Sequence, residues 1–86
     1  MYDVRQGFTR SGLHFSGHAA EQMERRDIDP DEVERALETC DTTYPGSDRQ
    51  RENLVKVGTT SDDRRLHVVV KRERPFVVVT AFWGED

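Results

Sequence analysis

Two histidines are the side chains of this 86-residue chain whose surroundings are best suited to chemistry. His18 opens a segment, residues 18–28, that has the composition of a short helix and carries two adjacent arginines near its end. His67 lies in residues 64–71, a run with the apolar alternation of a β-strand that also contains Arg65. An imidazole can accept or donate a proton near neutral pH, and a guanidinium group stabilises negative charge on phosphate oxygens. Whether these groups act together depends on the elements that position them.

Two helices are predicted in the first half of the chain. Ser16 is a suitable N-cap for a helix over residues 17–26. Asp29 suits the N-cap of a second helix that begins at Pro30, where the missing N–H of proline costs nothing. Apolar residues then recur at helical spacing and predict one buried face, formed by Val33, Ala36, Leu37 and Cys40.

The rest of the chain has the pattern of β-strands. Three strands are predicted over residues 53–57, 64–71 and 76–83, and shorter ones over residues 13–15 and 42–44. The predicted fold is therefore α+β, with two N-terminal helices packed on one face of a curved antiparallel sheet of three to five strands.

The predicted domain is single and small. It spans residues 13–86, and residues 1–12 are expected to form a polar extension because they lack apolar periodicity. The only cysteine excludes an internal disulfide, and no apolar run or N-terminal signal indicates a membrane or an export route. We therefore expect a cytoplasmic protein without a membrane partner.

The apolar alternation of the last three strands predicts which side chains share a face. If Val70 pairs with Val77, and Val57 pairs with Arg64, one face packs on the helices through Val55, Leu66, Val68, Val70, Val77, Val79 and Ala81. The opposite, open face then carries Lys56, Arg65, His67, Thr80 and Phe82. A slip of one residue would exchange the faces and expose the valines, so hydrophobic burial favours this register.

The side chains of the predicted open face suit the cleavage of RNA without a metal. This reaction needs a base for the 2′-hydroxyl proton, an acid for the leaving oxygen, and cations for the charge on the phosphate. His67 suits either proton role, and Arg65 and Lys56 suit the charge role. Thr80 can position a phosphate oxygen, and Phe82 can stack on an unpaired base. Each residue alone is equally typical of a solvated strand, so the prediction depends on their joint placement.

His18 is a second candidate for proton transfer. The positive end of the helix dipole disfavours a charged imidazole, so a neutral His18 can act as a base. The alternative is a histidine that closes the junction between strand and helix. His14 lies four residues earlier but precedes the helix, and no second pair of ligands accompanies it. No metal site and no cofactor are therefore predicted.

Charge is unevenly distributed along the chain, whose net charge is −4. Residues 18–41 hold nine acidic and three basic side chains, whereas residues 49–74 hold eight basic and four acidic ones. A locally basic face on an acidic protein can hold a phosphate backbone. The alternative is that both runs are solvated faces.

The chain also resembles a known family over about residues 13–83. The signature His-Ala-x-x-Arg-Met-x-x-Arg-Gly-Ile of the domain-of-unknown-function 4258 family is similar to this sequence at His18, Ala19, Met23, Arg26 and Ile28. That family is grouped with RelE/ParE-like toxins and with the barnase–EndoU–colicin–RelE nuclease fold. The resemblance implies a RelE/ParE-like fold and, by motif position, catalytic or phosphate-binding roles for His18, Arg26 and Thr80.

Two functions are therefore expected. The first is a metal-independent endoribonuclease of the toxin type, which binds RNA as its substrate. Gln22 stands where the signature has arginine, and Asp27 replaces its glycine. Gln22 and the net negative charge favour the second, a RelE/ParE-like interaction module that has lost its chemistry. Such a module would bind an antitoxin-like protein, or would act as a gyrase-binding toxin.

Overall fold

The computed structural model describes residues 7–47 and 51–84. In these residues two helices and six strands follow one another as β1 (Phe8–Arg10), β2 (Leu13–Phe15), α1 (Gly17–Arg25), α2 (Pro30–Glu38), β3 (Thr42–Pro45), β4 (Asn53–Thr59), β5 (Arg65–Lys71) and β6 (Val77–Trp83). The strands form one sheet in the order β1-β2-β6-β5-β4-β3. The predicted α+β class with two helices is confirmed, but the described sheet has more strands than the predicted three to five.

The sheet is mixed rather than antiparallel because β2 runs parallel to β6. The chain reaches β6 only after it has passed through both helices and three other strands, so the two strands need not form a hairpin. β1 lies within the segment expected to be an extension. It pairs with β2 through a tight turn in which Ser11 (φ 52°) and Gly12 (φ 82°) both have positive φ, the geometry that suits the twist of a hairpin.

Both helices begin at the predicted caps. The Ser16 hydroxyl accepts a hydrogen bond from the Ala19 amide at 3.0 Å, and the Asp29 carboxylate accepts one from the Asp31 amide at 2.8 Å. α2 ends earlier than its apolar spacing predicts, so the placement of Cys40 on its buried face is wrong. Cys40 follows the helix, is half-buried, and donates its thiol proton to the Thr42 carbonyl. No helix of the described residues is long and apolar enough to cross a membrane.

The main core lies between the helices and one face of the sheet. Its fully buried members come from all layers: Phe15, Ala19, Met23, Ile28, Val33, Ala36, Leu66, Val68, Val70, Val78 and Ala81. α2 crosses β4 at Gly58, where a Cβ atom would lie only 1.8 Å from the Ala36 carbonyl oxygen. The absence of a side chain at Gly58 therefore permits the close approach of helix and strand.

The pairing of β4 with β5 differs from the predicted register by three residues. Thr59 pairs with Arg65, and Val57 pairs with His67 instead of Arg64. A short loop accounts for the difference, since the Thr60 amide donates to the Arg64 carbonyl at 2.8 Å and β4 continues through Gly58 and Thr59.

An odd shift moves every side chain of β4 to the other face of the sheet. Lys56, opposite Val68, therefore lies on the helix face, and the prediction that it shares the open face is wrong. Val55, predicted to pack on the helices, lies on the open face with Val57. Burial is not lost, because both valines pack with Val69 in a second apolar cluster that contains no helix residue.

The pairing of β5 with β6 is also shifted, but by two residues, so most faces are kept. His67 pairs with Phe82 and Val68 pairs with Ala81. A β-bulge then places Val78 in the main core, and the predicted core residues Val77 and Val79 are only half-buried. The face of the sheet that carries no helix is called the open face below. It is formed by Thr9, His14, Thr42, Tyr44, Asn53, Val55, Val57, Thr59, Arg65, His67, Val69, Lys71, Val77, Val79, Thr80 and Phe82.

Candidate functional site

The imidazole of His67 is at the centre of the open face and is held by two side chains. Its ring stacks on Phe82 with 4.8 Å between ring centroids and 25° between the planes. The Tyr44 hydroxyl lies 3.0 Å from Nδ1, and the Tyr44 ring meets the imidazole edge-on. The orientation of this ring thus depends on three strands, since Tyr44 comes from β3, His67 from β5 and Phe82 from β6. Tyr44 reaches His67 across β4.

The absence of a side chain at Gly84 leaves space beside the other ring nitrogen of His67, Nε2. A Cβ atom at Gly84 would lie 2.9 Å from Nε2 of His67 and 3.2 Å from Cβ of Arg65. The Gly84 amide continues the sheet by donating to the Arg65 carbonyl at 3.0 Å. Any larger residue at position 84 would press on Nε2, the nitrogen that Tyr44 does not contact.

The surroundings of His67 favour its neutral form. Partial burial lowers the pKa of His67 below its ordinary value, and the positive charge of Arg65 lowers it further. At neutral pH the imidazole is therefore uncharged. When its proton is on Nδ1, that N–H donates to the Tyr44 oxygen and Nε2 keeps a free lone pair, which is the form that a general base requires.

Arg65 is the cation closest to this imidazole, and it already has an anionic partner. Its two terminal nitrogens donate to the Asp41 carboxylate at 2.6 and 3.1 Å, and one also donates to the Thr59 hydroxyl at 3.1 Å. Hydrogen bonds from Arg65 lower the pKa of Asp41, and the same contact raises the pKa of Arg65. Both side chains are largely exposed, so this ion pair can exchange its carboxylate for another oxyanion at little cost.

The predicted site residues fall on two sides of the sheet. Arg65, His67, Thr80 and Phe82 lie on the open face, as predicted, and Lys56 does not. His18 is exposed on α1, which packs on the opposite face, so the sheet separates His18 from His67.

Arg26 also lies on the helix side of the sheet, where its contacts join α1 to β6. Its guanidinium donates to the Ala81 carbonyl at 2.7 Å, and its own carbonyl accepts from the Trp83 indole at 2.8 Å. The Arg64 guanidinium covers the same Trp83 ring at 3.7 Å. The geometry gives Arg26 a structural contact, while its predicted role as a phosphate ligand stays a prediction.

Thr80 is on the open face, but its hydroxyl oxygen is buried and has no hydrogen-bond partner in the described structure. A buried polar group without a partner costs free energy, so we expect Thr80→Val to raise the free energy of unfolding by about 1 kcal/mol. Thr60→Val is the matched control, because the buried Thr60 hydroxyl donates to Asp62 and accepts from the Arg64 amide. Thr60→Val should therefore lower the free energy of unfolding. Urea unfolding of both variants measures the effects, and destabilisation by Thr80→Val would show that its hydroxyl has a partner in solution.

Sequence reasoning missed Tyr44, Asp41 and Gly84. The segment 42–44 is predicted as a strand. Nothing in its own pattern indicates which strand it pairs with, or on which face of the sheet Tyr44 lies. The Pro45–Gly46 turn was the available signal, since a hairpin there brings Tyr44 beside β4. Among the residues that the structure describes, no group of three His, Cys, Asp or Glu side chains could hold a metal ion.

Comparison with known proteins gives one match. Residues 15–83 match the model of a family described as "Domain of unknown function (DUF4258)". No curated protein and no solved structure matches the chain.

Proposed function

We propose that this chain, which belongs to the DUF4258 family, is a metal-independent endoribonuclease of the toxin type with a RelE/ParE-like fold. The observation that carries the proposal is the fixed, neutral imidazole of His67 beside the Arg65 guanidinium on a face without helices. A base, a cation and an aromatic ring are thereby brought together at the surface. These are the groups that cleavage of a single RNA strand uses.

In the proposed reaction, Nε2 of His67 removes the proton of a ribose 2′-hydroxyl. The resulting oxygen attacks the adjacent phosphorus, the bond from phosphorus to the 5′ oxygen breaks, and a 2′,3′-cyclic phosphate forms. The leaving oxygen takes a proton from water, so the product strand begins with a 5′-hydroxyl. Tyr44 keeps the imidazole oriented throughout, and Phe82 supports the opposite side of its ring.

Arg65 stabilises the charge that develops on the phosphate in this reaction. Its bidentate contact with Asp41 has the geometry that a guanidinium also offers to two phosphate oxygens. The substrate phosphate therefore replaces the Asp41 carboxylate. The proposal does not use Lys56, His18 or Arg26, because each is on the helix side of the sheet.

The test is a comparison of two substrates in the presence of a chelator. The pure protein should cleave a single-stranded oligoribonucleotide and release 2′,3′-cyclic phosphate ends. It should leave intact the same strand made with 2′-deoxyribose, because that strand lacks the attacking oxygen. Mass spectrometry of the products shows whether their ends are 2′,3′-cyclic phosphates or 5′-phosphates. Activity that requires a divalent metal, or products with 5′-phosphate ends, would overturn the proposed mechanism.

A non-catalytic interaction module is the second candidate, and the exposed edge of the sheet favours it. Every residue of β3 is exposed, and β3 is an outermost strand of the described sheet. An antitoxin-like protein, or gyrase in the case of a ParE-like toxin, could add a strand to this edge. Absence of RNA cleavage, together with specific capture of such a partner by the wild-type protein and not by a variant with proline at Thr43, would favour this function.

A further inference from the structure

The turn between β5 and β6 carries an exposed aromatic ring beside unpaired positive charge. Phe76 is 52% exposed, more than Tyr44, the other exposed large apolar residue of the described chain. Arg74 forms no ion pair or side-chain hydrogen bond in the described structure, although it is two residues from Phe76. An aromatic ring that can stack on a base, close to a cation that can contact a phosphate, combines the two features of surfaces that bind single-stranded nucleic acid.

This turn adjoins a cleft on the open face. The cleft has a volume of about 350 Å³ and is lined by Glu52, Lys71, Glu73, Arg74 and Val77. Lys71 is on the same side of β5 as His67. Val77 is on the open face, whereas the side chain of its neighbour Val78 is in the main core on the helix face. The cleft and the candidate site are therefore parts of one continuous surface.

From these observations we infer that the cleft and Phe76 form a second binding subsite for the RNA strand whose scissile phosphate is at His67. The inference rests on the proposed function and adds to it the class of substrate. A strand that continues beyond the cleaved bond would place a base on Phe76 and a phosphate near Arg74. The substrate is then a single-stranded oligonucleotide of several residues, and a dinucleotide lacks part of the binding surface.

The distance between the two subsites suits an extended strand of a few nucleotides. Lys71 is four residues from His67 on one strand, which corresponds to about 13 Å at the usual rise per residue. Lys71 lines the cleft and shares a face with His67, so a strand bound at His67 can enter the cleft without bending around an edge of the sheet. Phe76 is two residues beyond Arg74 and lies outside the lining of the cleft. A duplex would present its bases stacked and paired, and its bases could not reach the Phe76 ring.

Basic side chains outnumber acidic ones in the segments that flank the cleft, although its own lining holds two of each. The flanking segments contribute four basic side chains, Arg51, Lys71, Arg72 and Arg74, and two acidic ones, Glu52 and Glu73. Glu52 is engaged by Lys71 at 3.4 Å, and the Arg72 guanidinium donates to the Arg51 carbonyl. Arg74 is therefore the arginine of the cleft lining, and it has no carboxylate partner among the described residues.

Binding of a non-cleavable strand tests this inference apart from the chemistry. The probe is a fluorescent nine-residue oligonucleotide made with 2′-deoxyribose. Phe76→Leu should weaken its Kd about tenfold, because stacking of a base on an aromatic ring is lost, and Phe76→Tyr should retain the wild-type Kd. Arg74→Gln should reduce the slope of log Kd against log salt concentration by about 0.7, the value for one phosphate contact on a single strand.

Two controls separate the possible failures. Arg25→Gln removes an exposed arginine from α1 on the helix side and should change neither the Kd nor the salt slope. Cleavage of a dinucleotide should be equal in wild type and Phe76→Leu, since a dinucleotide does not reach the turn. Equal oligonucleotide Kd values for wild type and Phe76→Leu, or no binding by wild type, would overturn the subsite. Tight, Phe76-dependent binding without any cleavage would instead overturn the catalytic proposal and leave the binding surface.

Discussion

Gly58→Ala is expected to lower the free energy of unfolding of this domain by about 3 kcal/mol or more. The added Cβ atom would lie 1.8 Å from the Ala36 carbonyl oxygen, 2.5 Å from its carbonyl carbon and 2.7 Å from its Cα. All three are backbone atoms of α2, so no side-chain rotation can relieve the clash, and the helix must move away from β4. Overpacking in a core costs about 1–3 kcal/mol and at times more, whereas small domains are stable by only about 5–15 kcal/mol.

Thermal and urea unfolding followed by circular dichroism measure this effect. Gly12→Ala is the informative control, because Gly12 has a φ of 82° but no atom within 4 Å of its missing Cβ. That variant carries conformational strain without a clash, so its free energy of unfolding should fall by only about 1–2 kcal/mol. A Gly58→Ala protein with the same unfolding midpoint as Gly12→Ala would contradict the close packing of α2 on β4.

The helices were predictable because their signals are local. Ser16 and Asp29 cap the helices from within one turn, and Pro30 fixes the start of α2. The end of α2 was less predictable, since Thr39 stops the helix through bonds to the distant Thr59. The Thr39 hydroxyl donates to the Thr59 carbonyl at 3.1 Å and accepts from its amide at 2.8 Å. No pattern within residues 30–40 contains that information.

The strand registers illustrate a different limit. Burial specifies a register only where one face of a sheet is apolar, and here both faces contain valines. Val55 and Val57 are only 5% and 4% exposed in their cluster with Val69, so the open face buries them without a helix. An odd shift of register, such as the observed shift of three residues, is unfavourable only if the open face is fully solvated.

The candidate site was predictable only where it did not depend on how the strands pair. Arg65 and His67 share a strand, so their common face follows from alternation alone, whatever the register. Lys56 depended on the register of a second strand and was misplaced. Tyr44 depended on a third strand and was missed. The reliability of a predicted surface cluster thus falls with each strand pairing that it requires.

His67→Gln is the substitution with the largest expected effect on activity. Glutamine can still reach the Tyr44 hydroxyl but cannot accept and release a proton near neutral pH. We expect the kcat/KM for oligoribonucleotide cleavage to fall about 10²- to 10⁴-fold, the usual contribution of a general base. The Kd for a 2′-deoxy strand should change little, because Arg65 and Phe76 remain. His18→Gln, on the other side of the sheet, is the matched control and should keep wild-type activity.

The pH dependence gives an independent readout of the same group. The folded pKa of His67 lies below the value of about 6.5 for an unperturbed histidine, so wild-type activity should be constant above neutrality and fall as the solution becomes more acidic than that folded pKa. The free energy of unfolding should also decrease as the pH is lowered. A lowered pKa means that the fold prefers the neutral ring, so this stabilisation is present above about pH 6.5 and is lost as the pH falls through the folded pKa.

His67→Gln removes the titrating group, so it should flatten both profiles in this range. The two measurements together separate catalysis from folding, because a residue that only supports the sheet would change the stability profile and leave the pH dependence of kcat/KM intact. Cleavage that persists in His67→Gln with an unchanged pH profile would mean that another group takes the 2′-hydroxyl proton. The open face would then have to be considered as a binding surface alone, with Tyr44, His67 and Phe82 as contacts for unpaired bases.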